Sequence, residues 1–342
     1  MSEASGTRVE PLSLAVSVGA LLVVLTIAVL TGPASIGSMG ALRELADRLP
    51  LVQVDSGLTD QQAAILWQIR MPRIVLGVIV GSMLALAGTA YQGVFRNALA
   101  DPYLLGVAAG AGLGATIVFA ANASGGPLLP VGAFAGAVLA VAATYSLGRS
   151  AGGRSTATLI LAGVAVAAFF TAAQTYMQQR SAIDLRALYG WILGRLATTG
   201  WSEVRVAAPY AVAAAAVIFS SRRMLDVLSL DDEEAASLGV SPPAVRRWVV
   251  LAATLGTAAV VAVSGLIAFV GIIVPHTVRL LVGTSYRRVV PLSAILGAAF
   301  LVGADVAARS LVSPAELPIG VVTAFLGAPF FLIVLRSNKR LA

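Results

Sequence analysis

Ten stretches of this chain are almost purely apolar, at about 12–32, 71–93, 103–121, 128–147, 157–175, 203–220, 246–264, 266–282, 290–308 and 318–335. Each is close to the ~20 residues that a helix needs to cross the hydrocarbon core of a bilayer, where every backbone polar group must be satisfied within the segment. The pattern therefore predicts an all-α, polytopic membrane protein with about ten transmembrane helices. The seventh and eighth stretches run almost into one another. The first is longer than the apolar region of a secretion signal, so it is expected to be a span. Glycines recur four apart at Gly77 and Gly81, at Gly106, Gly110 and Gly114, and at Gly132 and Gly136. That spacing places them on one helix face, where backbones can approach closely in lipid.

Composition agrees with the pattern. The chain is 58% hydrophobic and 11% charged, against roughly 25% charged residues in soluble domains. There are no cysteines, which excludes disulfides and thiolate metal sites. The net charge of +7 is carried almost wholly by arginine. It is explained by loops flanking membrane spans, with no need of a nucleic-acid partner.

An even number of spans puts both termini on one side. The basic short loops "GRSAGGRS" and "TSYRR" and the basic tail place that side in the cytoplasm, while the opposite loop "NASGGP" is uncharged. The outer segments nevertheless keep a surplus of arginine. "FRNALADPYLLG" (95–106) interrupts two apolar runs and is expected to be an inner turn, with Asp101 and Pro102 starting the third helix as N-cap and N1.

The spans are almost bare of acids. Asp305 is the main one, with Arg309 one helical turn later, which suits a local ion pair better than a proton relay. No phosphate-binding loop is present, and the only lysine is Lys339. If ATP drives this protein, the nucleotide site must lie on another subunit. The longest inner loop, "LDVLSLDDEEAASLGVSPPAVRR" (225–247), reads as two short helices. Ser229 and the acids after it start the first, Gly239 closes it, and Ser241 with Pro242 starts the second. It fits either a groove on a cytoplasmic partner or a solvated acidic loop.

Several segments, in this order, carry a resemblance: "RMPRIVLGVIVGSMLALAGTAYQGVFRNALADPYLLGVAAGAGLGA", "LILAGVAV", "DLRALYGWILG", "EEAASLGV", "SGLIAFVGIIVPHTVRLLVG", "GADVAARS" and "ELPIGVVTAFLGAPFFLIVLR". Along nearly its whole length the chain resembles the FecCD-type permeases of type II ABC importers, which carry vitamin B12, ferric siderophores or haem. It departs from the family pattern at Ala98, where a proline is usual.

The resemblance implies a single transmembrane permease domain over residues 1–342, in the bacterial cytoplasmic membrane, paired with a second copy of itself. Its other implied partners are two cytoplasmic ATPases, which bind ATP and Mg, and a periplasmic or lipid-anchored binding protein; membrane lipid surrounds it. No cofactor is implied for this chain. The pathway would run between subunits along the fifth and tenth helices.

Arg70, Arg73 and Arg309 would meet acids of the binding protein, lipid headgroups being the alternative. Within coupling helices at 225–240, Leu230, Asp232, Glu233, Ala236, Leu238 and Gly239 would face the ATPase. Ser155, Thr156 and Ala157 would form the cytoplasmic gate. His276, the only histidine, lies in a motif shared whatever the substrate, which implies a structural role. Ferric siderophore is the first substrate reading, with cobalamin and haem as alternatives. An ion-coupled carrier and a receptor without transport are the competing classes.

Overall fold

The computed structural model describes residues 9–32, 36–48, 54–123, 126–150, 156–196, 200–313 and 315–338. Among them run fourteen α-helices: α1 (Pro11–Leu30), α2 (Ser38–Asp47), α3 (Asp60–Ile65), α4 (Met71–Phe95), α5 (Val107–Ala120), α6 (Leu128–Ser150), α7 (Thr156–Arg180), α8 (Leu185–Ile192), α9 (Ser202–Val227), α10 (Asp232–Ser237), α11 (Pro242–Ser264), α12 (Val270–Val282), α13 (Tyr286–Ser310) and α14 (Ile319–Asn338). A π-helical turn, Leu66–Arg70, joins α3 to α4 without a break. Among the described residues, seven helices are long and apolar enough to cross a membrane, and shorter apolar helices stand at the third, eighth and tenth predicted positions.

Burial sorts these helices. Beyond Arg73 the α4 helix is apolar on nearly every face, and the most apolar window of Asp60–Phe95 is 78% buried, whereas that of Ala157–Arg180 is only 11% buried. A helix apolar on every face is either central or lipid- or partner-facing. The α4 helix is central: it packs on α9, α11, α12 and α13. By contrast α7 turns Leu161, Val164 and Phe169 outward, and α14 does the same with Phe325 and Ile333.

Glycine sets the closest approaches. A Cβ on Gly110 would lie 2.2 Å from the Gly136 carbonyl oxygen, and one on Gly114 would lie 2.0 Å from that of Gly132, so the predicted small-residue faces join α5 to α6. Gly81 and Gly297 bring α4 onto α13, while a Cβ on Gly88 would fall 1.9 Å from the Gly271 oxygen of α12. Neither backbone can yield cheaply in the middle of the bundle. Gly88→Ala is therefore expected to destabilise the protein by about 1–3 kcal/mol, the usual cost of overpacking. Thermal unfolding in detergent should show a lowered Tm, with Gly19→Ala as a neutral control because nothing lies within 4 Å of its Cβ position. Equal Tm values for the two variants would remove the packing argument.

Two expectations need correction. Asp101 and Pro102 do not start a helix: α5 begins at Val107, and the Asp101 carboxylate instead accepts a hydrogen bond from the Tyr103 amide at 2.8 Å. Nor is 95–106 simply an exposed turn, because Ala100, Pro102, Leu105 and Gly106 are buried. Buried irregular backbone needs partners. Gln92 Nε2 donates to the Ala100 carbonyl at 3.4 Å, and Thr144 Oγ1 donates to that of Leu105 at 3.0 Å. The Tyr103 hydroxyl donates to the Ile267 carbonyl at 2.9 Å and accepts from the Ile267 amide at 3.0 Å.

Tyr103 thus ties this segment to the break between α11 and α12, which separates the two merged apolar runs. At that break Gly265 has φ 71°, and a Cβ there would sit 2.0 Å from the Trp191 oxygen, so conformation and space both require glycine.

Candidate functional site

Two polar clusters stand at opposite ends of the segment containing α4. At its N-terminal end lie Arg70 and Arg73, beside Arg309 of α13. Helix α1 ends nearby with carbonyls that have no intrahelical donor. Arg70 Nη1 donates to the Val29 carbonyl at 2.6 Å, while Arg309 donates to those of Ala28 and Thr31 at 2.8 and 2.6 Å. Two cations at a helix C-terminus are also favoured by its dipole. A Cβ on Gly32 would sit 2.4 Å from Arg70 Nη2, so glycine there leaves room for the guanidinium.

Asp305 lies between the other charges. It accepts from Arg73 Nε at 3.0 Å and Nη2 at 2.9 Å, and lies 3.5 Å from Arg309 Nε. The outer fork of Arg73 holds Glu316 through both carboxylate oxygens at 2.9 Å. Arg73 keeps 14% of its side-chain surface exposed, whereas Arg70 and Arg309 keep 4% and 5% of their residue surface.

The three arginines predicted for docking are therefore brought together, but Arg70 and Arg309 point inward. The physical reason is the uncapped end of α1, whose carbonyls take both guanidiniums. Glu316 was not foreseen; the signal available was an acid in a short loop that also follows an arginine-ended helix.

At the other end, α4 closes on Arg96, which adopts left-handed geometry with φ 49°. Its side chain reaches across to 228–232, where Nε donates to the Leu228 carbonyl at 2.6 Å and Nη2 bonds the Leu230 carbonyl and Asp232. Arg246, in the first turn and a half of α11, grips the same Asp232 carboxylate with two hydrogen bonds of 2.7 and 2.8 Å. The Arg246 hydrogen bond, with Arg96 beside it, holds the Asp232 carboxyl below the usual aspartate range.

Asp232 begins α10 but follows Asp231 at the N-cap; Ser229 does not cap the helix and donates instead to the Asp226 carbonyl. Gly239, with φ 78°, ends α10 through its amide on Ala236 and that of Val240 on Ala235. The second expected short helix is the start of α11, itself a candidate span.

The coupling residues predicted from sequence thus divide. Glu233, Ala236, Leu238 and Gly239 are exposed, with Leu238 at 61%. Leu230 and Asp232 are engaged by arginines of the same chain. Arg96 and Arg246 were missed, although two arginines flanking an acidic segment are a legible sign of bracing. Of the gate residues, Ser155 lies outside the described residues, Thr156 begins α7 and Ala157 is exposed. His276 packs edge-on against Phe330 of α14, with ring centroids 5.7 Å apart.

The sequence matches the model of the FecCD transport family over residues 20–337. The chain belongs to the FecCD transport family. Among curated relatives of this FecCD permease, the cobalamin import system permease protein BtuC of Halobacterium salinarum is 40% identical over 283 residues, 83% of this chain and 76% of the relative. The hemin transport system permease protein HmuU of Yersinia pestis is 37% identical, covering 97% of this chain and 98% of its own. The Fe(3+) dicitrate transport system permease protein FecD of Escherichia coli is 38% identical, covering 81% and 88%. A solved inward-facing metal-chelate type ABC transporter superposes with a TM-score of 0.79 at 30% identity, over 94% of this permease and 99% of that chain. Like the family, this protein is a multi-pass membrane permease.

Proposed function

We propose that this permease moves a metal chelate inward across the cytoplasmic membrane, with ATP and Mg bound by a separate ATPase, and that its substrate is a ferric siderophore. Cobalamin and haem are the alternatives, since relatives named for each stand at similar identity. Two copies of the chain would pair across α7 and α14, whose outward apolar side chains have no cover within one chain. Both termini would lie in the cytoplasm. Thr156 and Ala157, with Ser155, would form the inner gate.

The observation that carries the reading is α10. It is short and exposed, and it is fixed beneath the bundle by two arginines on one aspartate. Glu233, Ala236, Leu238 and Gly239 would face the ATPase, with Leu230 and Asp232 holding the helix in place. At the opposite end Arg73 would meet an acid of the binding protein, in exchange for Glu316. Arg70 and Arg309 would support that face through the end of α1.

Reconstitution tests this. Proteoliposomes holding the permease, its ATPase and binding protein should take up radiolabelled ferric siderophore only with internal ATP, and less cobalamin or haemin. The permease alone should hydrolyse no ATP. Uptake driven by an ion gradient with the ATPase absent would replace this reading by the ion-coupled carrier.

A further inference from the structure

One cavity takes no part in docking or in the pathway, and borders the coupling segment without containing its exposed face. It occupies about 730 Å³ between the ends of α4 and α9, α12 and the start of α13, and five arginines line it: Arg96, Arg223, Arg279, Arg287 and Arg288. Among the described residues the only carboxylate on its wall is Asp226, and both of that group's oxygens are committed. Oδ1 accepts from the Tyr286 amide at 2.6 Å and Oδ2 from the Ser285 hydroxyl at 3.0 Å. Arg96 is spent on Asp232 and two carbonyls. Arg279 bonds the Gln92 side-chain oxygen and lies over the Tyr286 ring, 5.4 Å from its centroid.

The other three are uncompensated. Among the described residues no carboxylate lies within 4.0 Å of Arg223, Arg287 or Arg288. The Nε of Arg288 is buried with no hydrogen-bond acceptor. Arginines that merely mark the inner side of a membrane protein extend into water and need no common cavity. Here Arg287 and Arg288 are half-buried and converge with Arg223 on one space. Leaving a buried donor unsatisfied is costly, and like charges gathered in a partly enclosed site repel.

An oxyanion relieves both. A guanidinium fork matches the paired oxygens of a phosphate group in geometry and charge. The volume lies within the range of small-molecule sites, roughly 300–1,000 Å³, and leaves room for more than a lone ion.

The geometry points to a binding site for a phosphate ester at the inner end of the bundle, held by Arg223, Arg287 and Arg288. The shared chemistry is the phosphate oxyanion, and its source is either the headgroup of an inner-leaflet phospholipid or a free phosphate compound. Arg96 joins the cavity wall to the brace of α10, so occupancy would stiffen the segment that faces the ATPase.

Thermal unfolding of the full-length permease separates the sources. One arm titrates inorganic phosphate against detergent-solubilised protein at constant ionic strength, with chloride as reference. The other compares nanodiscs of phosphatidylcholine with nanodiscs containing phosphatidylglycerol. A rise in Tm with phosphate alone would identify a free anion. A rise only with phosphatidylglycerol, with that lipid retained in native mass spectra, would identify a headgroup.

In either case Arg287→Gln with Arg288→Gln should weaken the half-saturating concentration of the effective probe at least tenfold. Arg247→Gln, an exposed arginine on α11, should leave it unchanged. Should the double variant not fold, Arg223→Gln, at an exposed position, gives the same comparison. No Tm response to either probe would overturn the site. So would an equal response in the Arg247 control, or protection that appears only when the ATPase subunit is added.

Discussion

Asp305→Ala is expected to cost about 3–5 kcal/mol of stability, the range for leaving a buried charge without its partner. Its carboxylate keeps 4% of its surface and separates Arg73 from Arg309. Without it two guanidiniums face each other in a closed site, and a third, Arg70, lies close by on the same helix end. Glu316→Ala removes a bidentate partner of the same Arg73, but Glu316 is 38% exposed and water can replace it. Exposed pairs contribute only about 0–1 kcal/mol. The two variants, equal in formal charge, should therefore differ strongly in Tm, with Asp305→Asn between Asp305→Ala and wild type because it keeps an acceptor. Similar Tm values for Asp305→Ala and Glu316→Ala would show that burial does not govern this cluster. The same pair bears on docking. If a partner carboxylate exchanges with Glu316, Glu316→Ala should bind the binding protein at least as tightly as wild type, and Arg73→Glu should abolish binding.

The apolar runs were legible because a backbone in lipid must satisfy its own polar groups, and all ten positions hold a helix in the structure, though those at the third, eighth and tenth are shorter than a span. Glycine spacing was equally informative for Gly110, Gly114, Gly132 and Gly136, since a bare backbone on one face of a helix has few uses in lipid except contact. The direction of the arginines was not legible. The resemblance implies that Arg70 and Arg309 meet a binding protein, but the unsatisfied carbonyls that draw them inward belong to residues about forty and about 280 positions away. Asp101 followed by proline has the pattern of a helix start, yet Tyr103 draws that turn inward through its bonds to Ile267. Both misreadings share a cause: the deciding partner lies in another helix, and a single stretch of sequence carries no record of it.

The α4 helix connects the two clusters, with Arg73 near one end and Arg96 at the other, about 35 Å apart at 1.5 Å per residue. Spatial continuity alone does not demonstrate coupling, but the inner contacts separate two ways of breaking it. Leu238→Glu places a charge on the exposed surface of α10 without touching the bundle. It should prevent productive contact with the ATPase, so that uptake and stimulated ATP hydrolysis fall together while Tm stays near wild type. Asp232→Ala acts differently. It frees Arg96 and Arg246 from their common acceptor and leaves the exposed residues of α10 chemically intact. The ATPase should still associate, and uptake per ATP hydrolysed should drop about tenfold or more because α10 can move without the bundle. The effect of pH follows from the depressed pKa. A carboxyl held below its unfolded value contributes stability that is present above the unfolded pKa and lost as pH falls through the folded one. With the unperturbed group near 3.9, the brace stays intact from neutral pH down to about 5, and coupling should not vary over that interval. ATPase that fails to co-purify with the Asp232→Ala permease would make Asp232 part of the contact surface and would end the bracing argument. Full coupling in that variant would show that α10 needs no fixed attachment to α4.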